Sequence, residues 1–177
     1  MRLATRGYTL YEVLLVTALI ALLLAMAIPS YSATLARQRQ RVEIDTLFHA
    51  IHHARKESVM RRRVVSLCPS DDGSTCGPDA DWSNGWLMFE NRDRDSPPRI
   101  DAGEIVLRHH DVDPTIVIAA NRRGFTLRAT VLRATNGTFV VCDAAGRVPA
   151  KALVISYTGR PRVASKTTRG NPYECPE

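Results

Sequence analysis

The chain has 177 residues, of which 45% are hydrophobic and 24% charged, and its formal net charge at pH 7 is +6. It contains no internal repeat, no Ser–His–Asp pattern, no glycine-rich phosphate loop and no cofactor fingerprint, which argues against a repeat protein and against an enzyme, and predicts no cofactor.

The N-terminal thirty residues place a short basic leader before a long apolar run. The leader is Met1–Gly7 with two arginines, and the apolar run extends from Val13 to Ile28 without a charged residue before Pro29. An ordinary secretory signal has its cleavage site after the apolar stretch. Here the change in character comes before it, at Gly7, so cleavage there would leave the apolar segment on the mature protein as an anchor.

This arrangement resembles the class III signal of type IV pilins and type II secretion pseudopilins, with Tyr8 where that family usually has Phe. The resemblance implies that prepilin peptidase cuts after Gly7 and that Tyr8 becomes the methylated N-terminus. It also implies that Glu12 pairs with the terminal ammonium of a neighbouring subunit during filament assembly. The alternative for Glu12 is a carboxylate that stabilises a helix N-terminus.

A single long helix is predicted from about Tyr8 to Arg62. Residues 8–28 would form the transmembrane or filament-core part, and residues 29–63 would continue it as an amphipathic helix. The resemblance implies an inner-membrane anchor made by this one helix, with the globular domain in the periplasm. It further implies incorporation into an extracellular pilus among other major and minor pilin subunits. The predicted core-facing stripe comprises Leu35, Val42, Leu47, Ile51, Ala54 and Ser58.

Residues 64–177 are predicted to form a β-rich globular domain, which makes the fold class α+β and pilin-like: a long N-terminal helix packed on an antiparallel sheet. The pair Asn136-Gly137 predicts a two-residue hairpin between two of its strands. The predicted strands are Val64–Cys68, Trp86–Phe89, Glu104–Arg108, Thr115–Ala119, Gly124–Leu132, Thr138–Cys142 and Ala152–Tyr157.

Four cysteines follow the export signal, and an even number in an oxidising compartment points to disulfides. Sequence order favours Cys68–Cys76 and Cys142–Cys175 among the three possible pairings. Zinc is the competing interpretation, but it is disfavoured because the chain has no Cys-x-x-Cys pair.

The charges are divided along the chain. Residues 64–113 hold eleven acidic residues and four arginines, a net charge of −7, whereas residues 114–173 hold ten cations and one acid, a net charge of +9. Such asymmetry indicates a polyanionic partner such as nucleic acid, or an acidic neighbouring subunit. A scattered, solvated surface is the alternative.

The segments Leu67–Cys76, Asp81–Phe89 and Thr158–Arg162 resemble the FimT/GspH group of minor pilins and pseudopilins. In DNA-binding members of that group the Gly-Arg-x-Arg segment contributes to DNA capture during natural transformation. The resemblance therefore implies sequence-independent DNA binding through a basic C-terminal loop that carries Arg160 and Arg162, joined by Lys166 and Arg169. The alternatives are a minor pilin that primes or caps pilus assembly without DNA, and a pseudopilin of a type II secretion system.

Other polar and aromatic groups carry weaker signals. His49 and His53 have a metal-binding spacing but no third ligand, and the acidic turns lack the pattern of a calcium loop, so no metal is predicted. Trp82 and Trp86 are candidates for stacking on the bases of single-stranded DNA, although the surroundings of Trp86 favour a place in the core.

Overall fold

The computed structural model describes residues 7–77, 81–129 and 134–175, with residues 26–30 described by their backbone alone. Residues 1–6 of the predicted leader and residues 130–132 of the predicted strand Gly124–Leu132 lie outside the described residues. In the described ranges, one helix is followed by eight strands: α1 (Leu10–Arg61), β1 (Val64–Pro69), β2 (Gly85–Asn91), β3 (Val106–Asp111), β4 (Ile116–Ala120), β5 (Phe125–Leu127), β6 (Gly137–Asp143), β7 (Lys151–Ile155) and β8 (Pro161–Ala164).

The chain divides into two compact units, residues 1–35 and residues 36–177. The first contains the start of α1, where the apolar side chains from Leu10 to Leu24 are exposed. The second contains the rest of α1 and both sheets. The predicted long helix and α+β fold class are confirmed, because the helix and antiparallel sheets occur as expected.

The strands form two four-stranded antiparallel sheets, ordered β3-β2-β1-β5 and β4-β6-β7-β8. One core joins them to the C-terminal part of α1, which contributes Leu47, Ile51 and Ala54. An aromatic cluster links the sheets, because the ring of Phe139 on β6 lies 4.4 Å from that of Phe125 on β5 and 4.8 Å from that of Trp82, centre to centre.

The buried stripe of α1 differs from the predicted one at several positions. Val42 is 59% exposed, whereas Gln40 and Glu43 are buried. Gln40 Nε2 donates to the carbonyls of Val141 and Pro149 at 2.9 and 3.0 Å. Burial of these polar side chains is tolerated because each of them has hydrogen-bonding partners.

The predicted hairpin at Asn136-Gly137 is wrong. Strand β5 pairs with β1 in one sheet, and β6 pairs with β4 and β7 in the other, so Asn136-Gly137 does not connect two paired strands. Gly137 is required by close packing instead. A Cβ there would lie 2.6 Å from Asn121 Oδ1 and 2.8 Å from Phe125 Cε1, closer than real Cβ contacts come.

Two disulfides are present, Cys68–Cys76 and Cys142–Cys175, which are the pairings that sequence order favours. The first closes a short loop after β1. The second joins β6 to the C-terminal tail across 33 residues of sequence. It therefore ties the segment that follows β8 back to the centre of its sheet.

Candidate nucleic-acid interface

Strands β7 and β8 form a hairpin whose turn carries the first candidate cation. Gly159 N donates to Ser156 O at 2.8 Å, and Ser156 N donates to Arg160 O at 3.1 Å. Gly159 has φ +70°, a left-handed conformation that suits glycine. This is the three-residue hairpin loop in which a left-handed residue forms a bulge before the second strand. The glycine therefore sets the direction in which the chain leaves the turn at Arg160.

The turn is fixed to the rest of the domain at two points. Ala134 N donates to Tyr157 O at 3.0 Å. Arg55 Nη1, from the last two turns of α1, donates to Thr158 O. A Cβ on Gly159 would lie 3.2 Å from Ala134 Cβ and 3.4 Å from Arg55 Nη1, so the turn packs closely against both.

Arg162 lies on edge strand β8, not on a loop as the sequence suggested. Pro161 pairs with Ile155 and is buried, while Arg162 pairs with Val154 and is exposed. Because side chains alternate along a strand, the Arg162 side chain leaves the sheet on the face opposite Pro161. Arg160 precedes it at the turn and is exposed as well.

Lys166 and Arg169 lie in the tail between β8 and Cys175. Lys166 forms an isolated bridge with Pro172, and Thr167 N donates to Asn171 O at 2.7 Å, so the tail turns back on itself. Lys166 and Arg169 are exposed. Within the described part of the chain, the side chains of Arg160, Arg162, Lys166 and Arg169 make no ion pair.

Two of the other arginines in residues 114–173 make hydrogen bonds within the domain. Arg122 Nε donates to Asn136 O at 3.3 Å. Arg147 holds the buried Asp143 through Nε and Nη2, at 2.9 and 2.5 Å. The Arg147 guanidinium lowers the pKa of Asp143, so this carboxylate is ionised at neutral pH. The charge of Arg147 is therefore balanced by a carboxylate of the same domain. Arg123, Arg128 and Lys151 are exposed to solvent.

The tryptophans considered for base stacking are buried, and the residues considered for metal binding lie among other side chains of the domain. Trp82 and Trp86 are only 5% and 0% exposed, so neither offers a face to a base. His53 Nε2 lies 3.5 Å from Glu57. Asp93, Asp95 and Asp101 bring carboxylate oxygens within 4.8 Å of one another, and burial is the main factor that raises the pKa values of Asp95 and Asp101.

The residues of the predicted assembly site form a helix cap. Glu12 Oε2 accepts hydrogen bonds from Thr9 N at 2.8 Å and from Thr9 Oγ1 at 2.9 Å. Glu12 N lies 3.3 Å from Thr9 Oγ1. This is a capping box, which the spacing Thr-x-x-Glu at the start of an apolar helix signals and which the sequence reading missed. Tyr8 and Gly7 precede the cap and are exposed.

Over the residues that the structure describes, no helix combines the length and the apolar character needed to cross a membrane.

A family model supplies the family of this chain. The model described as "Type II transport protein GspH" matches residues 43–159, about two thirds of the sequence. The chain belongs to the GspH family. It is therefore a minor pilin or pseudopilin, a subunit type that assembles with other pilin-like subunits in a type IV pilus or a type II secretion system. The match ends at Gly159, just before the candidate cations.

Solved structures share the fold. The type IV minor pilin FimU of Pseudomonas aeruginosa aligns with a TM-score of 0.53 and 23% identity over 72% of this chain and 90% of FimU. The minor pseudopilin EpsH of Vibrio cholerae aligns with a TM-score of 0.53 and 6% identity over 71% and 96%. E. coli GspH aligns with a TM-score of 0.52 and 15% identity over 76% and 94%. A search of curated proteins gives no match.

The Arg147–Asp143 pair generates a stability prediction. Arg147→Gln should lower the free energy of unfolding by about 1–3 kcal/mol at pH 7, because a buried carboxylate loses its partner. The folded pKa of Asp143 lies below its unfolded value of about 3.9, so the stabilisation is present above that value and is lost as pH falls through the folded pKa. Urea unfolding of the full chain in detergent should show a smaller difference in the free energy of unfolding between Arg147→Gln and the wild type at pH 3 than at pH 7.

The control is Lys151→Gln at an exposed position, which should change the free energy of unfolding by no more than about 0.5 kcal/mol. An equal loss at both pH values would contradict this role.

Proposed function

We propose that this chain is a minor pilin of a type IV pilus that captures DNA for uptake in natural transformation. The observation that carries the proposal is the set of four exposed cations, Arg160, Arg162, Lys166 and Arg169, without ion pairs in the described part of the domain. They occupy consecutive segments, first the hairpin turn, then the edge strand and finally the tethered tail. A polyanion is the ligand that such a set of uncompensated charges attracts.

Phosphates, and not base edges, are the groups that these side chains suit. A guanidinium can hold two oxygens of one phosphate, and a lysine ammonium acts as a point charge. Both tryptophans are buried, so base stacking is not part of the proposed contact. Contacts confined to phosphates carry no direct sequence information, and binding should therefore be largely independent of sequence.

The N-terminal segment would place this domain in the filament. We propose that prepilin peptidase removes residues 1–7, that Tyr8 is then methylated, and that Glu12 pairs with the ammonium of a neighbouring pilin. Residues 8–28 would hold the precursor in the inner membrane with its globular domain in the periplasm, until assembly carries it into the extracellular pilus. A structural subunit of this kind needs no catalytic residue.

The second candidate function is that of a pseudopilin in a type II secretion system. It is favoured by the description of the matching family, which is a type II transport protein. A minor pilin that primes or caps assembly has the same requirements at its N-terminus. Neither of these functions needs a DNA-binding surface, so DNA binding separates them from the leading proposal.

Arg160 and Arg162 can be tested together. Arg160→Gln/Arg162→Gln should weaken binding to duplex DNA and flatten the log–log salt dependence by about one to two units, because each phosphate contact contributes a slope of about −0.9. The measurement is a fluorescence titration of the full chain in detergent at several salt concentrations. In cells, transformation should fall while pili still form.

A charge-matched control distinguishes the loss of this site from a general loss of positive charge. Arg37 and Arg41 are exposed on α1, and Arg37→Gln/Arg41→Gln removes the same charge elsewhere. This variant should bind DNA nearly as the wild type does. Equal binding by the Arg160/Arg162 variant and the wild type at every salt concentration would move the site elsewhere. Absence of binding by the wild type at low salt would replace the DNA proposal with the structural or secretion role.

Leader processing is directly measurable. The mature protein extracted from membranes should begin at Tyr8, with an intact mass that also includes one methyl group. Gly7→Leu should retain the leader, because the residue before the cut is changed. A mature chain that still contains Met1, or one cut beyond Ile28, would contradict the pilin type of processing.

Glu12 has two roles that variants can separate. Glu12→Gln removes the charge but keeps an acceptor for the cap, since Gln also serves in a capping box. Thr9→Val removes the capping hydroxyl at a cost of about 0.5–2 kcal/mol but keeps the charge. Pairing with a neighbouring ammonium requires the charge, so Glu12→Gln should be depleted from sheared pili and Thr9→Val should be present, as measured by immunoblot. The reverse pattern would show that Glu12 serves the cap alone.

A further inference from the structure

The hairpin that carries Arg160 is fixed from outside by a residue far away in sequence. Arg55 lies on α1 between buried Ala54 and exposed Lys56, and its own side chain is half-buried. Its Nη1 donates to the carbonyl oxygen of Thr158, 103 residues further along the chain. The central carbonyl of the turn is therefore bound to the helix by a charged donor.

Among the described residues, few hydrogen bonds from outside the hairpin restrain this turn. Tyr157 and Thr158 are exposed, and β8 is an edge strand that pairs on one side with β7. Within the part of the chain that the structure describes, two hydrogen bonds hold the turn from outside the hairpin: Ala134 N donates to the Tyr157 carbonyl, and Arg55 donates to the Thr158 carbonyl. Hydrogen bonds with an ionised donor are generally stronger than neutral ones, so the Arg55 bond is a restraint whose loss should be measurable.

Restraint of the turn affects the affinity for a ligand, because the long side chains that would bind the ligand are attached to the turn and to the strand after it. Binding is weakened by the entropy of ordering loops and side chains, and a turn that is fixed beforehand avoids part of this loss. We infer that Arg55 is a positioning residue for the DNA interface, which presents Arg160 and Arg162 by holding the Thr158 carbonyl and does not itself contact phosphate. This inference rests on the proposed function.

The alternative is that Arg55 is one more phosphate contact. A direct contact and a positioning contact give different couplings between variants. If Arg55 acts through the hairpin, its replacement has little left to disturb once Arg160 and Arg162 are gone. If Arg55 contacts DNA independently, its effect adds to theirs, as effects of independent sites do.

The test measures Arg55→Gln in two backgrounds, using the full chain in detergent and a duplex of random sequence at low salt. In the otherwise wild-type chain, Arg55→Gln should weaken binding about three- to tenfold, because the turn and its arginines must then be ordered on binding. In the Arg160→Gln/Arg162→Gln background it should weaken binding less than about twofold. Arg55→Lys, which keeps a charged donor, should restore most of the affinity. Lys56→Gln removes a charge from the adjacent helix position and should change affinity less than about twofold.

Hydrogen exchange gives a readout that does not depend on DNA. The Gly159 and Ser156 amides should exchange faster in Arg55→Gln and remain unchanged in Lys56→Gln, while amides of β6 keep their protection, which shows that the domain is folded. Equal losses of affinity in both backgrounds, or unchanged exchange at Gly159, would overturn the positioning role and leave the DNA proposal standing. A wild-type chain that binds no DNA would overturn the proposed function and this inference with it.

Discussion

The structure depends on one buried stripe of α1 that packs against both sheets at the same time. Leu47, Ile51 and Ala54 recur at helical spacing and are fully buried in a core that includes residues of both sheets. Polar members of the same stripe fix the register. Gln40 binds carbonyls at Val141 and Pro149, whereas Glu43 meets His110 of β3 at 2.8 Å and accepts a hydrogen bond from Asp113 N at 3.1 Å. Hydrophobic burial supplies the attraction, and these directional bonds select one rotation of the helix.

The same helix also restrains the surface that carries the candidate cations. Its Arg55 reaches the β7–β8 turn, and the disulfide from Cys142 on β6 holds the tail that follows β8. A turn, an edge strand and a tail are usually the least ordered parts of a domain. Here each is attached to a core element, so exposed cations are carried on segments with restricted motion.

Local patterns predicted much of this architecture. The helical period predicted both ends of the helix to within two residues, and apolar runs predicted most strands. Gln40 and Glu43 were not predicted to be buried because their partners come from residues far away in sequence. Gly137 looked like a turn residue, but its neighbours Asn121 and Phe125 explain it by close packing, which no local pattern shows. The candidate cations were found by charge and motif, whereas strand β8 was missed because four residues with a proline give little period-two signal.

The position of strand β8 affects whether the sheets of neighbouring subunits can pair with each other. It forms the open edge of its sheet, and an exposed edge is a template on which another chain can add a strand. Pro161 has no N–H to offer, and Arg162 brings a charge that a second copy would have to meet with the same charge. Subunits crowded side by side in a filament would be kept from fusing their sheets at this edge. The residues that suit a polyanion would thus also protect the domain against aggregation with itself.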